Sequence, residues 1–166
     1  ATLGITLLSF SLASMIAFLG AIAKLSQDGM ISGAATFYTS LFRGVPLLMQ
    51  IYMIYMGLPQ LGYVIDAVPA GIAALSLCYG AYMTEIVRAG MQSISRGQWE
   101  AARSLGLSPF SVLSKVILPQ AIPLVIPPIG NQYISMLKDS SLVSVIGIWE
   151  LMYLSRNLGS KTFQHL

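Results

Sequence analysis

Glu85 stands three residues after Tyr82 and three before Arg88, inside a stretch from Val68 to Val87 that is otherwise mostly apolar. A charge among apolar groups needs a partner, so it marks a candidate site by default. Helical spacing of i to i+3 lets Glu85 pair with Arg88 and neutralise both. Equally, the Glu85 carboxylate and the Tyr82 phenol could hydrogen-bond a ligand ammonium or guanidinium in a central cavity. Both readings stand on the residues alone.

Three further groups carry polar chemistry in apolar surroundings. Asn131 and Gln132 follow Pro127, Pro128 and Gly130, a run that predicts a broken helix with backbone open to a cavity, where solutes bind in membrane carriers. In "LKDSSL", Lys138, Asp139, Ser140 and Ser141 sit at the outer end of the same segment. Asp139 or Ser140 is placed to cap a following helix and Lys138 to snorkel to the interface, or the group contacts a ligand directly. Arg43, Gly44, Pro46 and Gln50 form the last set. Arg43 reads first as a cytoplasmic-end arginine near lipid phosphate, with pairing across the bundle or a place on a passage as alternatives. Pro46 is expected to bend its helix, while Tyr52, Met53, Tyr55 and Met56 are expected to pack it.

Other chemistries are excluded by pattern. "LGSKT" at 158–162 has Ser160 where a phosphate loop needs its second Gly, so the chain is not expected to hydrolyse ATP itself. His165 is alone and near the terminus, no HExxH or GxSxG occurs, and the single Cys78 has no partner for a disulfide or CxxC pair and reads as packing. No catalytic or metal constellation emerges.

The elements that must hold these residues are set by composition. Of 166 residues, 55% are hydrophobic and 9% charged, far below the quarter or so expected of a soluble domain, and mean hydropathy is +0.74. A bilayer helix needs roughly 20 mostly apolar residues. Four stretches qualify: Thr2–Ala23, Ala34–Leu58, Val68–Val87 and Val116–Leu137. The first lacks a basic leader and a small-residue cleavage pattern; in a chain beginning without Met it is expected to be a span of a trimmed protein, not a signal peptide. Val143–Leu154 is too short to cross and reads as interfacial or re-entrant. Gly71, Ala74 and Ala81 suit close helix packing, and the chain reads as one all-α membrane domain over residues 1–166.

Lys24, Arg43, Arg88, Arg96, Arg103 and Lys115 cluster on one side of the spans, whereas the Pro59–Ala67 loop has no Lys or Arg. The positive-inside rule puts the 92–115 loop in the cytoplasm and the chain's start outside, with Lys138, Arg156 and Lys161 against the trend. The net charge of +3 is thereby explained by topology, without nucleic acid.

That loop, "SISRGQWEAARSLGLSPF", is unusually well punctuated. Ser95 and Gln98 have capping-box spacing, Gly106 is placed to end the helix in a left-handed conformation, and Ser108–Pro109 fit the N-cap and first position of the next. A helix of about ten residues is too short to stand alone in water. Trp99, Ala102 and Leu105 share a face that suits docking in a partner's groove, and Glu100 can pair with Arg103 or with the partner. A solvated connector lying on the membrane is the plain alternative.

"EAARSLGLSPFSVLSKVILP" resembles the EAA loop of the membrane subunits of ATP-binding-cassette importers: Glu100, Ala101, Ala102, Gly106, Leu118 and Pro119 match, and Val116 replaces an Ile. "TLGITLLSFSLA", "LFRGVPLLMQ", "YMTEIVRAGMQSISRGQWEAA" and "KDSSLVSVIGIWEL" resemble the polar amino-acid subfamily, the histidine, glutamine, arginine and opine type, over nearly the whole chain. The resemblance implies the type I importer permease bundle. It implies that the helix carrying Trp99, Glu100, Ala101, Ala102 and Gly106 couples to an ATPase, with Pro119 closing the motif. It implies as partners two cytoplasmic ATPase subunits holding ATP and Mg, a second permease subunit, identical or a sibling, an external substrate-binding protein, a small polar amino acid and inner-membrane lipid. The chain itself would hold no cofactor. Tyr82, Glu85, Asn131, Gln132, Lys138, Asp139, Ser140, Ser141, Arg43 and Gln50 are the candidates for the passage. The family has a final span after the point where this chain stops, so one more is expected. An ion-gradient-driven carrier with Glu85 as the ion site is the rival reading, and a receptor-like module a third.

Overall fold

A computed structural model describes residues 2–148, and every regular element among them is helical. The elements are α1 (Thr2–Lys24), α2 (Gly29–Gly44), α3 (Leu47–Tyr52), a π-helical turn (Met53–Gly57), α4 (Leu58–Gln60), α5 (Ala67–Gln92), α6 (Arg96–Ser104), α7 (Pro109–Val112), a second π turn (Leu113–Ile117), α8 (Leu118–Asp139) and a 3₁₀ segment (Ser140–Ile146). Of the interfacial segment expected over Val143–Leu154, residues 143–148 are described, with Val143, Ile146 and Ile148 buried against the bundle; residues 149–154, together with Arg156, Lys161 and His165, lie outside the described residues.

Three helical runs are long and apolar enough to cross a bilayer, Thr2–Lys24, Ala67–Gln92 and Pro109–Ile146, with a bent fourth pair of Gly29–Gly44 and Leu47–Gln60. Several hydroxyls in these helices hand their protons to carbonyls one turn back, as Thr6 does to Thr2 and Ser14 to Phe10, so they ask no partner of lipid.

Helix α5 is the axis of the bundle: 61% of its most apolar window is buried, against 17% for the Pro109–Ile146 run. Close approach is achieved with small side chains, since between apolar helices in lipid packing contacts supply much of the attraction. Ala13, Ala17 and Ala21 of α1 and Ala70, Ala74 and Ala81 of α5 are 0–1% exposed. A Cβ on Gly80 would come within 2.8 Å of Ile16 Cγ2, one on Gly90 within 2.2 Å of Val125 Cγ2, and one on Gly71 within 3.2 Å of Val143. The expected small-residue seam is therefore present.

The second predicted span is not one crossing helix. The bent pair turns by 105° between Gly44 and Leu47. Pro46 has no N–H for the turn before it and disfavours helical backbone at its predecessor, and Val45 duly sits at φ −103°, ψ 131°. Met53 and Met56 beyond the elbow are 64% and 51% exposed, so they do not pack the bundle as the sequence suggested.

The break expected at Pro127–Gly130 is absent: α8 runs unbroken through Pro123, Pro127 and Pro128. Widening occurs elsewhere, and both π turns end two residues before a proline, Pro59 and Pro119. The longer i to i+5 repeat makes room where a proline's ring presses on the preceding turn.

Candidate functional site

The elbow forms one wall of a cavity of about 400 Å³. Arg43, Gly44, Val45, Pro46 and Leu47 line it from the α2–α3 side, Cys78, Tyr79 and Tyr82 from α5, and Gln132 and Asp139 from α8. Tyr79 and Tyr82 stand at the middle of the 26-residue α5. Tyr82 Oη donates to the Arg43 carbonyl at 3.5 Å, and the Arg43 guanidinium lies 5.4 Å from the Tyr82 ring centroid, a cation–π distance. Arg43 is thus at mid-span and not at the cytoplasmic end. The α2 helix that carries it stops halfway, at the elbow.

Asp139 caps nothing. Its carboxylate accepts from Tyr79 Oη at 2.7 Å, and the Ser140 hydroxyl turns back to the Leu137 carbonyl at 2.7 Å. Among the described residues the ion pairs are Lys24–Glu85 and Arg88–Glu85, so the Arg43 cation and the Asp139 anion share a cavity with no ion-pair partner. The space between them offers one end to an anion and the other to a cation.

The remaining candidates part company with this cavity. Glu85 is held by Lys24 of α1 and, at 2.8 Å, by Arg88, with Lys24 also donating to Thr39 of α2 at 3.0 Å. The Glu85–Arg88 pair read from spacing is present, and Lys24, 61 residues away, completes it as a tie between α1, α2 and α5. Asn131 and Lys138 are exposed on the outer side of α8, and Ser141 is half-buried outside the cavity lining. Gln50 is buried behind the elbow, 5% exposed. Tyr79 and Cys78 are lining residues that the sequence reading missed or assigned to packing; the i, i+3 spacing of Tyr79 and Tyr82 was the available signal.

At the other end, α6 lies on a second cluster of Ala21, Met91, Ile94, Val112, Ile117 and Ala121. Its start departs from expectation: Ser95 holds the N-cap position without a side-chain cap bond, and Gln98 Oε1 instead accepts from Gln120 at 3.3 Å. Its end follows the sequence closely. Gly106 has φ +74°, its N–H donates to Arg103 and that of Leu107 to Ala102, the paired bonds that close a helix on a left-handed residue. Ser108 then caps α7 by accepting from the Ser111 N–H, with Pro109 in the first turn.

The faces of α6 are divided differently from the expected stripe. Ala102 is 4% exposed and Trp99 packs on the chain's own cluster, whereas Leu105 is 81% exposed. Gly97, Glu100, Ala101 and Ser104 also face outward, and Phe110 of α7 is 78% exposed beside them. Trp99 and Ala102 fasten the helix to the bundle; Glu100, Ala101, Leu105 and Phe110 are left exposed. Pro119 is exposed at the start of α8.

A family model described as binding-protein-dependent transport system inner membrane component matches residues 13–163. The chain is 36% identical over 165 residues to the L-cystine transport system permease protein TcyB of Bacillus subtilis, covering 99% of this chain and 70% of that protein. It is 39% identical over 166 residues to the arginine transport system permease protein ArtQ of the same organism, covering 99% and 76%. A crystal structure of an amino acid ABC transporter with histidines superposes with a TM-score of 0.90 at 41% identity, over 99% of this chain and 77% of that one. The inward-facing MetNI methionine ABC transporter matches in fold, with a TM-score of 0.81 at 21% identity, over 99% and 79%.

Proposed function

The chain belongs to the family of binding-protein-dependent transport system inner membrane components, and we propose that it carries a polar amino acid through the cavity between the elbow and α8. It is a multi-pass permease subunit with the ABC importer fold. The observation that carries the substrate reading is that Arg43 and Asp139 share one cavity with no ion-pair partner among the described residues. A free amino acid brings a carboxylate for Arg43 and an ammonium for Asp139, which Tyr79 already orients. Relatives named for L-cystine, arginine and glutamine transport support the same substrate class.

Energy would enter through the outward face of α6. ATP and Mg would be bound by two ATPase subunits seated against Glu100, Ala101 and Leu105, and Trp99 and Ala102 would pass the motion to α1 and α5. A second permease subunit and an external binding protein would complete the assembly. The ion-driven reading finds no comparable support: Glu85, its proposed ion site, is engaged by two cations.

The test is uptake of labelled L-arginine or L-glutamine by proteoliposomes holding the full assembly. ATP-dependent uptake that falls at least about tenfold in Arg43→Gln is expected, as for loss of one charge-assisted bond to a desolvated ligand. Uptake driven by an ion gradient without ATP would overturn the reading.

A further inference from the structure

A 105° turn at mid-span leaves backbone carbonyls without their helical donors, and in lipid each unsatisfied group is expensive. In a continuous helix the Phe42 carbonyl would accept from the N–H of residue 46, four positions on, but residue 46 is proline. The Val45 carbonyl would accept from Met49, whose N–H goes to Pro46 instead. Gln50 repairs both: its Nε2 donates to Phe42 and to Val45, each at 2.8 Å. The Cys78 thiol adds a long contact to the same Phe42 carbonyl at 3.8 Å.

We infer that Gln50 is a positioning residue for the cavity: by replacing the amide that Pro46 lacks, it fixes the elbow that presents Arg43 and the Gly44–Leu47 backbone to the ligand. This rests on the cavity being the passage. Gln50 does not line the Arg43–Asp139 cavity; it is buried behind the elbow, facing a separate apolar pocket with Phe42, Val45 and Met53, so it acts through Arg43. Among the described residues its buried Oε1 has no hydrogen-bond partner, so the side chain is held there by its donor end. Gln50→Met keeps length and bulk while removing both donors. The seam with α5 does not depend on it, because Tyr38 Oη ties α2 to the Leu77 carbonyl at 2.7 Å independently.

The chain has one cysteine, Cys78, and it lies on the cavity wall against Phe42, so thiol labelling reports the elbow directly. The experiment treats membranes containing the full protein with 2-aminoethyl methanethiosulfonate, with and without L-arginine or L-glutamine. In Gln50→Met the labelling rate should rise about tenfold or more, since two buried carbonyls lose their donors, and protection by the amino acid should vanish. An unchanged rate with intact protection overturns the inference.

Two variants separate the possible failures. Pro46→Ala in the Gln50→Met background returns an amide at position 46 and with it a helical donor for the Phe42 carbonyl. It should not recover protection, because the helix is then free to straighten; recovered protection would show that the elbow is not what positions the site, and would overturn the inference. Arg43→Gln, with Gln50 intact, should lose protection while its labelling rate stays below that of Gln50→Met. Protection surviving in Arg43→Gln, alongside an opened thiol in Gln50→Met, rejects the cavity as the passage and leaves Gln50 as the clamp of the elbow.

Discussion

The chain stops a helix abruptly at Val45–Pro46 and again at Leu105–Gly106, and it repairs the two breaks in opposite ways. At the elbow the repair is made by a side chain several residues away: Gln50 feeds two carbonyls and Tyr82 a third. At the end of α6 the backbone does the work, with Gly106 at φ +74° and the Gly106 and Leu107 amides closing the helix. The mid-span break must be satisfied from within because lipid offers no hydrogen bonds. The polar loop can leave a face unpartnered, and Glu100, Ala101, Leu105 and Phe110 occupy that face. The interior break shapes a cavity; the exterior one leaves an exposed face, the handle of the proposed coupling.

The largest effect expected from this contrast is at the handle. Glu100→Lys reverses the charge of the outward face, and Gly106→Asp puts a side chain on a left-handed residue at a cost of roughly 1–2 kcal/mol. Both should abolish substrate-stimulated ATP hydrolysis by the assembled transporter while leaving the chain inserted in the membrane, because neither side chain packs in the bundle. Stimulation retained in both variants would remove α6 from the coupling route.

Much of the handle was legible from sequence because its signals are local. Gly106, Ser108 and Pro109 act on neighbours within four residues, and each does what its type predicts. The elbow was legible only in part. Pro46 announces a bend, yet Pro123, Pro127 and Pro128 sit inside α8 without one. At Pro46 the break is accompanied by a side-chain donor, Gln50, to the carbonyls left free, and nothing local in the sequence pairs the two. The Lys24–Glu85 pair spans 61 residues and left no local trace, although spacing did reveal Arg88. Of the cavity residues, Arg43, Tyr82, Gln132 and Asp139 were visible as polar groups in apolar surroundings. Tyr79 was hidden as one more aromatic in a greasy helix. Trp99 misled because an aromatic on a short polar helix suits docking outward as well as fastening inward, and only the packing of Met91 and Ile94 beneath it decides.

Next in size is a test of the interior. Gly80→Ala places a Cβ 2.8 Å from Ile16 Cγ2 and 3.0 Å from Tyr38 Oη, where α1, α2 and α5 meet. Overpacking of this kind costs about 1–3 kcal/mol. A lower apparent Tm in detergent is expected, measured by thermal aggregation of the purified chain. An unchanged Tm would mean that the seam gives more easily than its small residues imply.

The smallest effect has the opposite sign and sharpens the contrast. Gly97 lies in the first turn of α6, where an added methyl would meet nothing within 4 Å, and its backbone lies in the ordinary helical range. Gly97→Ala removes freedom from the unfolded chain without meeting a neighbour, which stabilises by roughly 0.4–1 kcal/mol. The same chemical change, one methyl on a helical glycine, should thus lower Tm at position 80 and raise it slightly at 97. The outward face adds a second measurement: a bulkier residue at 97 that firms α6 in the isolated chain would still weaken capture of an ATPase subunit if that face is the docking surface. Gly97→Ala raising Tm while lowering ATPase capture would place the docking contact at the Gly97 end of the outward face, and capture left unchanged would move it along that face to Leu105 and Phe110.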